Sequence, residues 1–390
     1  MPESQRMRAV QSPIIPIVAE WIRQCPGTIS LGQGVVSYGP PPEATARLQG
    51  FGSSIDDNKY KAVVGIPELV EAFGRKFQQE NGIPTAAGSG SSLVVTAGAN
   101  MGFMNAMLAI LDPGDEVVIP APYYFNHEMA VTMASGRVVL APTDDNYQLV
   151  PERIEAALSP RTRAVVTVSP NNPTGAVYTE ASLRAVNDLC HRRGLYHIHD
   201  EAYEYFVYDG AIHFSPGSIP GAARHTISLF SLSKAYGFAS WRIGCMVIPD
   251  ELLQAVRKIQ DTILICAPVV SQLAGVGALQ AGKGYCEGHL RTLTGTRSLV
   301  LQALAGLADV CTVPRADGAF YFLLRLRSDR SALEIAERLV RNHGVAVIPG
   351  NAFGLEKGCH LRVAYGALQP ATVAEGMERL VTGLKKILCL

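Results

Sequence analysis

"SLFSLSKAYGFASWRIG", residues Ser228 to Gly244, is the stretch on which the reading of this chain turns. Ile227–Ser231 reads as a strand, and Lys234 follows it in surroundings that otherwise read as buried. A buried ammonium is costly unless it is paired, neutralised or covalently used, so this lysine needs a function. Two hydroxyls, Ser231 and Ser233, and the guanidinium of Arg242 share the stretch.

Outward from it the same local pattern recurs: a short β-rich run, a loop, then a helix-like period. Strands are expected near Ser92–Thr96 (SLVVT), Glu116–Ile119, Ala164–Val168 (AVVTV), Leu195–His199 (LYHIH), Ile227–Ser231 and Gly244–Ile248, with helical patterns between them such as Glu180–Arg193. That alternation predicts an α/β fold with a mainly parallel central sheet between helices. After about Gly282 the texture changes to a long polar helix pattern and apolar runs at Phe320–Leu326 and Val345–Ile348. We therefore expect a large domain over residues 48–285, a smaller α/β domain over 286–390, and an N-terminal segment, 1–47, that joins the small domain.

Composition bounds the function. The 34 basic and 34 acidic residues cancel, so no nucleic acid or other polyanion is implied as a partner. Eight cysteines (Cys25, Cys190, Cys245, Cys266, Cys286, Cys311, Cys359, Cys389) are scattered without a CxxC pair, which favours reduced thiols and a cytoplasmic protein. Prolines and charges break up the N-terminal "MPESQRMRAVQSPIIPIVAEW", which has no uninterrupted apolar core of signal-peptide length, so none is expected there. Thr262–Gly282 carries no charge and is long enough to span a bilayer. Pro268, Ser271, Gln272 and Gln280 and the weak basic flank make it a core or interface helix instead, so no membrane partner is expected. Asn172-Pro173-Thr174 is no glycosylation acceptor, because of its proline.

Residues of unlike chemistry collect at one end of the expected strands. Gly98-Ala99-Asn100 follows SLVVT, Tyr123-Tyr124 follows EVVIP, Asn172 follows AVVTV, Asp200 follows LYHIH and Lys234 follows ISLFS. Ligands of open parallel sheets bind outside the carboxyl ends of the strands, so these five loops should converge on one site. Pyridoxal phosphate chemistry requires such a set. The cofactor is an aldehyde that forms a Schiff base with a lysine, and its ring nitrogen must stay protonated to act as an electron sink. Asp200 beside that nitrogen would hold the proton. Its phosphate would sit on a helix N-terminus at Gly98-Ala99-Asn100, with Ser231 and Arg242 adding a hydroxyl and a guanidinium. Tyr124 would stack on the ring and Tyr203 would hydrogen-bond the ring hydroxyl. The choice between Tyr123 and Tyr124 is left to the fold.

The segments "SLSKAYGFASWRIG", "SPNNPTG" (Ser169–Gly175), "HDEAY" (His199–Tyr203), "PGDEVVIPAPYY" (Pro113–Tyr124) and "HLRVAYG" (His360–Gly366) resemble, in order and approximate spacing, the class I/II aminotransferases of the fold-type I pyridoxal phosphate superfamily. The resemblance runs from about Ile29 to Arg362. It implies that Lys234 is the Schiff-base lysine and proton carrier and that Asp200 binds the ring nitrogen, with Asn172 and Tyr203 on the ring oxygen. It implies a phosphate cup of Gly98, Ala99, Asn100, Ser231, Ser233 and Arg242 under a Tyr124 platform. Arg362 would clamp the substrate carboxylate, helped by the backbone at Gly34, and Asn172 would also face the substrate. Tyr60 matches a tyrosine that reaches the neighbouring subunit's phosphate, which implies a homodimer with shared sites.

Three features depart from the family pattern. Ser240 stands where many relatives have glycine, "GQGVVSYGPPP" replaces the usual Gly-x-Pro near a substrate lid, and Asn100 stands where an aspartate branch has lysine. His197 and His199 lie two apart on one expected strand and so share a face, with Asp200 on the other. No third ligand accompanies them, so no metal is expected; Asn171 reads as a loop residue with its own backbone bonds.

The expected activity is transfer of an L-amino acid's amino group to a 2-oxo acid in two ping-pong half-reactions through a Lys234 aldimine. The missing distal cation and the resemblance of "LGQG" to a kynurenine, glutamine and methionine branch favour neutral or aromatic donors. The alternatives are an aspartate aminotransferase and a β-elimination lyase on the same fold. A cofactor-binding regulator is set aside, because no basic helix-turn-helix segment precedes residue 29.

Overall fold

Runs of β-branched residues without polar alternation build the central sheet. In Thr162–Val168 every residue but Arg163 is buried, and in Thr226–Ser231 all six are. A strand buried on both faces belongs to a sheet covered by helices on both sides. The computed structural model describes residues 3–388. In chain order the strands are β1 Ile29–Ser30, β2 Ser91–Thr96, β3 Glu116–Ala121, β4 Arg137–Pro142, β5 Thr162–Val168, β6 Tyr196–Asp200, β7 Thr226–Ser231, β8 Gly244–Pro249, β9 Cys311–Thr312, β10 Tyr321–Leu326, β11 Val345–Ala346, β12 Ile348–Pro349 and β13 Cys359–Ala364.

The seven-stranded sheet has the order β2-β8-β7-β6-β5-β3-β4. Pairing is parallel from β7 through β6, β5 and β3 to β4, while β8 runs antiparallel to both β7 and β2. All six strands expected from the sequence lie in this sheet. The seventh, β4, was not expected: it is an edge strand, mostly half-exposed or exposed, and it ends in proline. On one face Val94, Ile119, Val166, Ile198 and Leu229 pack with Phe103 and Met107 of the helix Ala99–Ile110. On the other, Val165 packs with Leu183 and Val186 of the helix Glu180–Arg193. That helix has the expected bounds, because Thr179 accepts from the Ser182 N–H at its start and Gly194, at φ +66°, stops it.

A four-stranded antiparallel sheet, β12-β13-β10-β9, lies in the C-terminal third. The N-terminal segment joins this part of the chain through β1, which pairs parallel with β11, Ile29 opposite Val345. One continuous apolar core links the two sheets, running from Phe77 and Phe230 through Phe206 and Phe320 to Leu324 and Val363.

The uncharged run Thr262–Gly282 is not one helix: the helix Leu253–Ile263 ends, Ile265 turns at φ +66°, and a second helix spans Val269–Ala281 after Pro268. No helix among the described residues is long and apolar enough to cross a membrane. His197 and His199 do share a face, and His197 Nε2 and His199 Nδ1 each lie 2.7 Å from Thr167 Oγ1, so the pair is held in a buried hydrogen-bond network. Seven cysteines carry free thiols, and Cys389 lies outside the described residues.

Candidate active site

The direction of β8 explains how one arginine reaches the loops that follow β2 and β7. Because β8 runs opposite to β7 and β2, its beginning lies at their carboxyl ends: Gly244 sits between Ser231 and Thr96. Arg242, two residues earlier, therefore arrives at the edge where the parallel strands end. It takes a left-handed backbone, φ +56°, a costly conformation for a long side chain and one that clusters at functional sites. Its Nη1 donates to Ala239 O at 2.9 Å and lies 3.5 Å from Ser233 Oγ, and its Nη2 donates to Ala97 O at 3.3 Å. The turn is made at Gly237 and Arg242, while Ser240 is exposed with an ordinary φ, so that position needs no glycine.

Gly98 caps the helix Ala99–Ile110 at φ +81°, and a Cβ there would collide with the Arg242 guanidinium. The first turn of a twelve-residue helix, with free N–H groups and the positive end of its dipole, thus lies against a cation. Ser231 caps the short helix Leu232–Ala235, accepting from the Ser233 N–H at 3.1 Å and keeping its own hydroxyl proton free to donate.

Ala99, Asn100, Tyr124, Asn172, Asp200, Tyr203, Ser231, Ser233, Lys234, Arg242, Arg362 and Gly34 all line one cavity of about 430 Å³. Gly98 stands directly behind that wall. Tyr60 does not reach it and is 79% exposed. Tyr124, not Tyr123, faces the cavity; the Tyr123 ring is buried against Gly354 instead.

Lys234 Nζ donates to Gly34 O and, among the described residues, meets no carboxylate within ion-pair range. Burial, then the charges of Arg362 and Arg242, lower its proton affinity to about 8, with Asp200 opposing them. Asp200 ends β6, buried, with Oδ1 accepting from the Ala202 N–H at 3.0 Å and Oδ2 3.2 Å from His127 Nε2. Arg362 is 2% exposed; Nη1 donates to Asn172 Oδ1 at 2.8 Å and Nη2 to Gly32 O at 2.7 Å, while Nε has no partner. The carbonyl beside Arg362 is thus that of Gly32, and Gly34 serves the lysine. Since Asn172 accepts through Oδ1, its Nδ2 remains a donor for the cavity.

Asn171 bonds the local backbone, as expected: Oδ1 accepts from the Thr174 N–H at 3.2 Å and Nδ2 donates to Val168 O at 3.3 Å, and the same atoms also meet the Thr174 and Tyr178 hydroxyls. Sequence reasoning missed two polar contributors. His127 lies three residues after Tyr124 on the next helix, a spacing that turns it to the same side and is legible in retrospect. Tyr321, at the start of β10, carried no signal; its hydroxyl lies 2.7 Å from that of Tyr203.

The donor set suits pyridoxal phosphate. A guanidinium, two serine hydroxyls and a helix N-terminus suit a phosphate, a buried carboxylate suits a protonated ring nitrogen, and an amine without a counter-ion suits an aldehyde. Fold and cavity together define the class: an α/β enzyme with a reactive lysine at the carboxyl edge of its sheet. The chain belongs to the family of aminotransferases class I and II, whose pattern matches residues 26–380, and members of that family transfer amino groups with pyridoxal phosphate. It is 32% identical to an aromatic aminotransferase of Arabidopsis thaliana, across 99% of this chain and 97% of that protein. It is 36% identical to a probable aspartate/prephenate aminotransferase of Thermus aquaticus, across 84% of each. Among solved structures, an aromatic aminotransferase from Pyrococcus horikoshii superposes with TM-score 0.86 at 29% identity, covering 96% of this chain and all of that one. The aspartate aminotransferase of Thermus thermophilus with maleate gives 0.89 at 31%, covering 98% and 100%. The chain is thus a fold-type I aminotransferase.

Proposed function

We propose that this aminotransferase takes the amino group of a neutral or aromatic L-amino acid and passes it to a 2-oxo acid, with Lys234 as nucleophile and proton carrier. The observation that carries the donor class is the charge inventory of the cavity. Its only cations among the described residues are Lys234, Arg242 and Arg362, and each already has a task, while Ile15, Val35, Phe125 and Tyr124 offer apolar wall. A distal carboxylate would be desolvated there without a partner, at a cost of about 1–3 kcal/mol or more.

When bound, pyridoxal phosphate supplies the electrophilic carbon and the electron sink. Arg242, Ser231, Ser233 and the N-terminus at Gly98, Ala99 and Asn100 hold its phosphate, and Tyr124 covers its ring. Asp200, oriented by His127, keeps the ring nitrogen protonated. Asn172 Nδ2 and the Tyr203 hydroxyl donate to the ring oxygen. Arg362 binds the α-carboxylate, and Lys234 Nζ, with its lowered proton affinity, moves the proton away from Cα and back on the acceptor side.

The test of donor class is the ratio of kcat/KM values for phenylalanine, tyrosine, methionine and aspartate with a common oxo acid. The neutral and aromatic donors should lead aspartate by at least about tenfold, the penalty above converted to rate; aspartate in first place would overturn the reading.

We also assign the protein to the cytoplasm, as free buried thiols suit a reducing compartment, and divide it at residues 47 and 285, the second boundary falling just inside the helix Lys283–Ala305. A homodimer accounts for the exposure of Tyr60, Ile55 at 73% and Ile263 at 52%. If Tyr60 serves the second subunit's site, mixing inactive Tyr60→Ala and Lys234→Ala subunits restores activity, since one hybrid site is intact. No recovery after subunit exchange would contradict the shared site.

A further inference from the structure

Tyr321 belongs to the small sheet, yet its hydroxyl meets Tyr203, which follows β6 of the large one. Its ring is fully buried and its hydroxyl has one hydrogen-bond partner, the Tyr203 hydroxyl at 2.7 Å. The Arg362 guanidinium lies over its ring at 4.6 Å. Gly34 passes so close that a Cβ would stand 2.5 Å from the Tyr321 oxygen, and the carbonyl of the same glycine holds Lys234 Nζ. Burial raises the proton affinity of both phenols, so each keeps its single proton at neutral pH.

We propose that Tyr321 is a positioning residue: its hydroxyl donates to the Tyr203 oxygen, turns the Tyr203 proton toward the cavity and strengthens the hydrogen bond that Tyr203 makes there. The direction follows from counting protons. Two phenols 2.7 Å apart share one hydrogen bond and hold two protons, so the second proton is free for whichever phenol faces a further acceptor. The ring oxygen assigned to Tyr203 is that acceptor, and a hydroxyl that accepts a hydrogen bond donates more strongly through its own proton. The inference rests on the cofactor reading above and adds a residue from the other sheet, so substrate-side strand β10 touches the group that tunes the cofactor.

The test is a double-mutant cycle read by spectroscopy. Wild type, Tyr321→Phe, Tyr203→Phe and the double variant are loaded with pyridoxal phosphate, and the visible band of each is titrated with pH. The charged or titratable groups facing the phenol pair or lining the same cavity are Lys234, whose Nζ is 5.8 Å from the Tyr203 ring, Arg362 on β13, Asp200 on β6, Arg242 before β8 and Tyr124 after β3. All are unchanged in the four proteins. Donation from Tyr203 to the ring oxygen draws electron density from the cofactor and lowers the midpoint. Loss of the Tyr321 hydroxyl should therefore raise it, by roughly 0.3–0.6 pH unit if cooperativity supplies up to a third of a charge-assisted bond. The rise should vanish in the Tyr203→Phe background. An unchanged midpoint in Tyr321→Phe, or the same shift with and without the Tyr203 hydroxyl, overturns the proposal. A wild type that gives no visible band on loading overturns the cofactor reading, and this inference falls with it.

Discussion

Two lysines in this chain lie among apolar groups, and their partners separate their roles. Lys76 has a carboxylate: Nζ lies 2.7 Å from Glu204 Oε2 and from Asn81 Oδ1, beneath the rings of Phe77, Tyr205 and Phe230. It is a paired structural cation. Lys234 has a backbone carbonyl and two arginines for neighbours, which leaves the neutral amine as the stable form above about pH 8. The neutral amine is the nucleophile, so capture of pyridoxal phosphate by the apoenzyme should speed up as pH rises toward a midpoint near 8, instead of the free lysine's 10.5. Stopped-flow absorbance across about pH 6.5–9.5 measures it, and a rate still climbing steeply at the alkaline end would contradict the electrostatic account. Most site residues were legible because their chemistry is unusual for their places: Lys234, Asp200 and Arg242 are charges beside apolar strands. Tyr321 was not, because a tyrosine opening an apolar strand looks like any core aromatic.

The strand-to-loop junctions carry the site, and the turn after β5 shows how tightly. Ser169–Gly175 lies against the small sheet: Gly318 N donates to Gly175 O at 2.7 Å, and Gly175 has φ +73°. A Cβ at Gly175 would sit 2.6 Å from Tyr321 O and 2.9 Å from Gly318 O. Gly175→Ala should therefore lower stability by about 1–3 kcal/mol, from the left-handed backbone and the forced contact together. Because the same turn presents Asn172 to Arg362, KM for the amino acid should rise as well. Denaturant unfolding with parallel kinetics checks both, and a variant as stable as the parent would refute the packing argument. The five central strands could be read from sequence because burial on both faces leaves an apolar run, and the edge strand β2 because its second half is buried. β4 escaped although Val138–Ala141 is apolar, because it is short, mostly half-exposed or exposed and ends in proline, and the break after Ile263 escaped because its turn is made without glycine.

At the scale of the molecule, two sheets meet over one cavity, the large one giving Lys234, Asp200 and the anion cup, the small one giving Arg362 and Tyr321. The sequence showed the parallel sheet and the change of texture after Gly282. It could not show that β10 reaches Tyr203 or that β1 closes on β11, since contacts between distant segments leave no local pattern. The central claim is that this cavity moves an amino group by means of Lys234. The most direct measurement mixes enzyme loaded with pyridoxal phosphate and an excess of phenylalanine, without any oxo acid, and follows the visible band and the products. The account predicts that the band bleaches once, that one phenylpyruvate is released per site, and that Lys234→Ala does neither. Bleaching in the Lys234→Ala protein, or continued consumption of the amino acid with release of free ammonia, would contradict it.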